Sequence, residues 1–215
     1  MKKKYFVRGK VNPVNEKEIE FMGLKGNNIN IKKGNVSKLH KMINLQPKYT
    51  HCKVLEVSSK SDVELGKKCS AFNLMMDGYS FEAIFQSSKV FEGNVQFKEV
   101  LDMKPSAAKV YIRNNKRGRN IIGFNYNGEE FPNIPYTYFY DYMYCKCVDE
   151  NLSEEEKKEL LKYSIFTDIE FGSGALNCQA KSLCIYSYLY KNNKLDLLND
   201  KEKFKEEVYK ERVVR

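Results

Sequence analysis

Residues 166–191 read FTDIEFGSGALNCQAKSLCIYSYLYK, and two periods meet in them. FTDIEF alternates apolar and acidic side chains, as a strand or extended loop does, which points Asp168 and Glu170 to one side. After the Gly-Ser-Gly break, residues 175–191 are apolar nearly all round. Such a helix belongs at the centre of a molecule, not on its surface. An extended segment feeding a buried helix reads as α+β. Before it, Pro135 leads into YTYFYDYMYCKCV, a helix with Thr137 at its start and Asp141 as its one early carboxylate. LSEEEKKELLKY is an amphipathic helix with Ser153 and Glu156 at the capping-box positions.

Further out the pattern is mixed. YSFEAIFQSSKVF (79–91) fits one helix, with Phe81, Ile84, Phe85, Ser88 and Phe91 on a shared face. Beside that face Glu82, Gln86 and Lys89 fall together, with Glu82 and Lys89 two turns apart, about 10.5 Å along the axis. Residues 94–113 are expected to be a helix interrupted near Pro105, and IIGFNYNGEEF a hairpin. KYFVRGKV, IEFMGLKG and INIKKG read as short strands, with a helix opening at Asn35-Val36-Ser37. KVLEV (53–57) reads as a strand, SSKSDVELGKKCSAFNL as a loop, and residues 200–211 as a terminal helix. The sum is a helix-rich single α+β domain with small β elements.

A length of 215 residues with 42% hydrophobic and 13% aromatic side chains suits one domain with a real core. No apolar run approaches the roughly 18 residues of a membrane helix. The start, MKKKYFVRGK, has no apolar stretch of the kind a secretion signal needs, so a cytoplasmic location is expected. The net charge is +9, and it is uneven: residues 1–60 hold 14 basic and 4 acidic side chains. Such a region attracts phosphates at long range. Lys outnumbers Arg 31 to 6, so a merely basic surface is an equal alternative. Cys52, Cys69, Cys145, Cys147, Cys178 and Cys184 form no CxxC pair, and His40 and His51 lie far from the Cys145–Cys147 pair. No metal and no cofactor is expected, and the thiols read as reduced core residues.

GxGxxG, P-loop, GxSxG and HExxH motifs are absent. What stands out is acids in apolar surroundings: Glu82, Asp141, Asp168 and Glu170. Burial raises a carboxyl pKa and lets the group act as an acid near neutrality. Several carboxylates in one pocket suit glycosidic-bond cleavage. A lysine among apolar side chains loses its proton more readily and attacks aldehydes, and Lys89 is the best placed. Each has a structural alternative: a solvated helix edge for Glu82 and Lys89, a helix cap or an ion pair with a core arginine for Asp141, a turn for Asp168 and Glu170.

Four segments carry a resemblance: LEVSSKSDVELGKKCSAFNL (55–74), FEAIFQSSKVFEG (81–93), PYTYFYDYMY (135–144) and FTDIEFGSGALNCQAKS (166–182). In order and spacing the chain resembles the NADAR (YbiA-like) family, and more closely the branch that serves as antitoxin to DarT-type DNA ADP-ribosylating toxins. The resemblance runs over about residues 35–195. It divides the chain into a basic β-rich extension (1–34), a catalytic domain (35–195) and a C-terminal helix (196–215).

The resemblance implies a hydrolase of N-glycosidic bonds to ribose, removing ADP-ribose from guanine in DNA. ADP-ribosylated DNA, the ADP-ribose product and the cognate toxin are the implied partners, without a membrane. Lys89, Glu82, Asp141, Asp168 and Glu170 match the family's catalytic positions. Lys89 is either a Schiff-base amine or a positioned cation, and Glu82 either donates a proton or steers Lys89. Glu170 is favoured for the ribose hydroxyls or the attacking water. Ser58, Ser59, Lys60 and Ser61 match a diphosphate loop. Ser70, Phe72 and Asn73 match a nucleotide-lining segment. Gln86, Asn177 and Gln179 complete the ADP-ribose set, with Lys181 in the same central-helix start. Two departures stand out. Phe131 and Tyr142 replace the Trp of many relatives, and the segment after Lys109 lacks the usual Arg-Asp, which moves phosphate contacts to Arg113, Lys116, Arg117 and Arg119. Two other functions stay open: an N-glycosidase acting on a small riboflavin-pathway-like intermediate, and an antitoxin that works by binding alone.

Overall fold

The computed structural model describes residues 1–172 and 175–210. Its spine is a four-stranded sheet in the order β2-β1-β10-β3, formed by β1 (Lys2–Arg8), β2 (Val14–Glu20), β3 (Val54–Glu56) and β10 (Ile165–Thr167). β1 pairs antiparallel with β2 and β10, and β10 runs parallel to β3. Successive side chains leave a strand on opposite faces, and the core divides accordingly. Tyr5 and Ile165 pack with Leu39 and Ile43 of α1 (Ile29–Asn44). Phe6, Leu55 and Phe166 face the other way, into the main core.

That core is built on two helices apolar nearly all round, α5 (Tyr138–Asn151) and α7 (Gln179–Lys191). A helix without a polar face has to be enclosed, and these two pack on each other between the sheet and the rest of the chain. Phe81 and Phe85 of α3 (Phe81–Ser87) meet Tyr140 edge-on, with ring centroids 5.0 and 4.9 Å apart. Cys69, Cys145, Cys147, Cys178 and Cys184 are free and buried. α6 (Glu154–Leu160) carries the full capping box of Ser153 and Glu156.

Smaller strands finish the molecule. β4 (Met75–Met76) and β5 (Tyr79–Ser80) form a short hairpin before α3. β6 (Lys89–Phe91), β7 (Val95–Gln96), β8 (Ile121–Tyr126) and β9 (Glu129–Pro132) form a second four-stranded sheet, ordered β7-β6-β8-β9. The expected hairpin is β8–β9.

Several sequence expectations need correction. INIKKG is the first turn and a half of α1, not a strand. Asn28 caps it by accepting the Ile31 N–H at 2.9 Å, so the helix starts at Ile29, six residues before Asn35. Most of IEFMGLKG lies beyond the end of β2. The loop after β3 contains a short helix, α2 (Glu64–Lys68). The 79–91 helix stops at Ser87, where the Ser87 and Ser88 hydroxyls both bond back to the Ile84 carbonyl, and Lys89 leaves as a strand residue paired with Phe124. Residues 94–113 are not one broken helix. They are β7, a 3₁₀ turn at Lys98–Asp102 and α4 (Pro105–Asn115). The central helix begins at Gln179, so 175–178 are loop, and the terminal helix is α8 (Lys201–Tyr209). Among the described residues no helix is long and apolar enough to cross a membrane.

Candidate active site

A cleft of about 320 Å³ opens where the two sheets and α3, α4 and α7 converge. Small-molecule sites span about 300–1,000 Å³. One wall comes from α3. Glu82 is buried and accepts a 2.8 Å hydrogen bond from Gln86 Nε2, while Lys89 Nζ donates to Gln86 Oε1 at 2.6 Å. The three groups are therefore wired in series, and the solvated-edge alternative fails for Glu82. The Lys89 ammonium lies 4.3 Å from the centre of the Phe85 ring. Burial is the main cause that lowers the Lys89 pKa to about 8. Glu82 opposes this, and Lys109 and Lys116 on the α4 side add to it. Burial likewise raises the Glu82 carboxyl.

The facing wall is the turn after β10. Asp168 Oδ1 accepts the Glu170 N–H at 3.0 Å and Oδ2 accepts from Gln179 Nε2 at 3.0 Å. The chain turns back here, with the Phe171 N–H bonded to the Asp168 carbonyl. Asp168 and Glu170 thus share the cleft through a turn rather than through strand alternation. Buried Lys3 holds this turn, donating to the carbonyls of Ile169 (2.6 Å) and Phe171 (2.9 Å). Burial raises the Asp168 carboxyl to about 6. Glu170 is more open. Its partial burial would raise it, but Lys60 at 2.5 Å and Lys32 at 2.9 Å prevail and lower it.

Ser59, Lys60, Phe72, Gln86, Asn177 and Gln179 also line the cleft. Asn177 Oδ1 is shielded from solvent and has no hydrogen-bond partner among the described residues. Gln179 Oε1 accepts the Ala71 N–H at 2.8 Å, and the Ala71 carbonyl accepts the Glu82 N–H at 3.0 Å, so α7, the 70–72 loop and α3 are tied together.

Other expected site residues lie elsewhere. Asp141 is buried under α7 and α8, not in the cleft. It meets Lys181 at 3.1 Å, Ser182 at 2.5 Å and the Tyr209 hydroxyl at 2.6 Å. This is the ion-pair alternative, with lysine as the cation. Ser58 turns inward to Glu56 (2.7 Å), and Ser61 accepts the Val63 N–H. Ser70 is buried, and Asn73 donates to the Lys67 carbonyl. Phe131 and Tyr142, the Trp replacements, sit in the core, with the Tyr142 hydroxyl bonded to the Leu198 carbonyl at 2.9 Å. Arg113, Lys116 and Arg117 are exposed at the end of α4 and in the turn that follows, and Arg119 is half-buried. Lys109, Phe85, Tyr140 and Leu176 line the cleft without having been singled out. Phe85, Tyr140 and Leu176 fall inside segments that carry the resemblance, whereas Lys109 lies outside all four and stands only at the start of the stretch that lacks the Arg-Asp. Lys32 had no sequence signal, its contact with Glu170 being 138 residues away. Glu56 lies inside the 55–74 segment but bonds to Ile169 across 113 residues, which the linear string does not show.

An α+β domain with one lysine wired to a buried carboxyl, and two further acids opposite, is organised for acid–base work on a polar ligand. The family described as DarT1-associated NADAR antitoxin matches residues 1–215, and the chain belongs to that family. No curated protein matches it.

Proposed function

We propose that the protein hydrolyses the N-glycosidic bond between ADP-ribose and guanine in DNA, undoing the modification made by a DarT-type toxin. The observation that carries this reading is the Lys89–Gln86–Glu82 series facing Asp168 and Glu170 across one cleft. Glu82, whose carboxyl burial pushes above the usual range, supplies the proton that the departing guanine nitrogen takes up. With its pKa near 8, about a tenth of Lys89 is the free amine at pH 7. When the C1″–O4″ bond opens and the ring oxygen takes a proton, C1″ becomes an imine carbon on the guanine nitrogen. The Lys89 amine adds to it to give an aminal. Guanine then leaves with the proton from Glu82, so that the sugar remains as an imine on Lys89. Water then hydrolyses the resulting imine, releasing ADP-ribose and restoring the lysine. Asp168 or Glu170 takes the water's proton. Lys60 and Lys32, held on Glu170 without ligand, are the cations that a diphosphate would draw away. Asn177 Oδ1, unpaired among the described residues but shielded from solvent, could accept from a ribose hydroxyl only if its side chain turned toward the cleft.

The test is incubation with a guanine-ADP-ribosylated oligonucleotide, with and without borohydride. The expected results are release of free ADP-ribose, a reduced adduct on Lys89, and a loss of at least 100-fold in turnover for Lys89→Ala. An intact adduct with folded protein would sink the reading. Rescue of toxin-expressing cells by Lys89→Ala would favour an antitoxin that only binds.

A further inference from the structure

Beneath the cleft lies a buried carboxyl that the chemistry above does not use. Glu56, at the end of β3, is 1% exposed. Its Oε1 accepts from Ser58 Oγ at 2.7 Å and from the Ile169 N–H at 2.9 Å, and its Oε2 lies 2.7 Å from Thr167 Oγ1. Ser58 Oγ in turn accepts the Lys60 N–H at 3.1 Å. One carboxyl therefore joins the loop that carries Ser59 and Lys60 to the turn that carries Asp168 and Glu170. On the far side, Thr167 Oγ1 lies 2.8 Å from His40 Nε2 of α1.

We propose that Glu56 is a positioning residue, fastening the Ser58–Lys60 loop to the Thr167–Glu170 turn from below and passing its proton state through Thr167 to His40. The inference rests on the proposed function for the identity of the ligand alone. Thr167 has a single hydroxyl proton. With Glu56 neutral, the carboxyl proton goes to Thr167 Oγ1, the hydroxyl proton goes to His40 Nε2, and the histidine carries its own proton on Nδ1. With Glu56 ionised, every bond in the line reverses and Nε2 is the protonated atom. Burial, then the charge of Asp168, raises Glu56 above its usual range, which makes the neutral form the resting one. Burial also keeps His40 neutral, with its pKa lowered to about 4 despite Asp62. The charges facing this line are Asp168 from the turn and Asp62 from the loop before α2. Asp168 itself feels Glu170 and, from β1, Lys3.

Two variants and two readouts test it. Glu56→Gln keeps an acceptor for Ser58 and Ile169 and a donor for Thr167. It should bind ADP-ribose within threefold of wild type by calorimetry, whereas Glu56→Ala should bind at least tenfold more weakly. Ser58→Ala, which cuts the loop tether alone, should weaken binding several-fold while lowering the melting temperature less than Glu56→Ala does. Without any ligand, the Ile169 amide should exchange at least tenfold faster in Glu56→Ala than in wild type. Nitrogen-15 NMR of the His40 ring should show the Nδ1–H tautomer at pH 6, a switch to Nε2–H as the pH rises past Glu56, and no switch in Glu56→Gln. Folded Ser58→Ala with wild-type affinity, unchanged Ile169 exchange in folded Glu56→Ala, or a His40 tautomer indifferent to Glu56→Gln would overturn the proposal. Failure of wild type to bind ADP-ribose would instead count against the proposed function, leaving the exchange and NMR results to judge Glu56.

Discussion

Lys89 shows how a site residue stands against stability. Its amine is kept in a partly apolar setting, where the charged form is disfavoured. The folded pKa is about 8 and the ordinary value 10.5, so between these pH values the unfolded chain binds more protons. Stability from this group therefore rises with pH across that window, and below about 8 the penalty is present in full. Lys89→Met should raise the melting temperature at pH 7, by the equivalent of about 1–2 kcal/mol, while abolishing turnover. The gain should shrink as the pH approaches 10. Calorimetric scans from pH 6 to 10 check this, and a destabilised Lys89→Met at neutral pH would contradict it. The sequence already placed Glu82 and Lys89 as partners. It also set Gln86 beside them, but on an unbroken helix that held the pair two turns apart, so the hydrogen-bonded series through Gln86 was not legible. The helix ends at Ser87, and no residue nearby announces that end.

At the scale of elements, Asp141 is the clearest case of a residue whose type was legible and whose role was not. It joins α5 to α7 through Lys181 and Ser182, and to α8 through Tyr209. Removing one partner of a buried pair strands the other charge, so Asp141→Ala should cost roughly 3–5 kcal/mol. Tyr209→Phe, which removes the hydroxyl's hydrogen bonds to Asp141 and Thr137, should cost about 1–3 kcal/mol. If Asp141 instead acts on substrate, Asp141→Asn would lose turnover with little change in a urea melt. The expected outcome is the reverse, a large loss of stability with turnover kept in the folded fraction. Gly66 is a second point of close approach. A Cβ there would collide with the Glu56 carbonyl and Ser61 Oγ, so Gly66→Ala should push α2 off β3 and disturb the Ser58–Lys60 loop. A drop in both melting temperature and ADP-ribose affinity is the expected result.

Over the whole molecule, the basic side chains decide how a polyanion approaches. Lys109 reaches the cleft and Lys116 is close enough to depress Lys89, so the α4 side of the mouth is positive. Neutralising Arg113, Lys116, Arg117 and Arg119 together should weaken turnover of adducted DNA and flatten its salt dependence. The expected change in slope is up to about 3 in log–log terms, since each phosphate contact contributes roughly 0.7 on a single strand. Binding of free ADP-ribose should be unaffected. A salt slope unchanged by the four substitutions would move the DNA path elsewhere, and a wild type insensitive to salt would favour a small-molecule substrate.

Local sequence determined the elements whose signal is local: the capping box of α6, the β8–β9 hairpin, and the enclosure of α5 and α7, since a helix apolar on every side has nowhere else to go. It also singled out the lysine and acids, because charges amid apolar neighbours stand out in a linear string. The first turns of α1 and the end of α3 were missed because a short polar or mixed run satisfies helix and strand patterns alike. Only the tertiary structure decided which acids face the cleft. Asp141 and Asp168 look equivalent in sequence, yet one is closed over by Lys181 and Tyr209 while the other opens onto Gln179. Such sorting depends on partners tens to more than a hundred residues away, brought near by chain packing, and no local pattern encodes that distance.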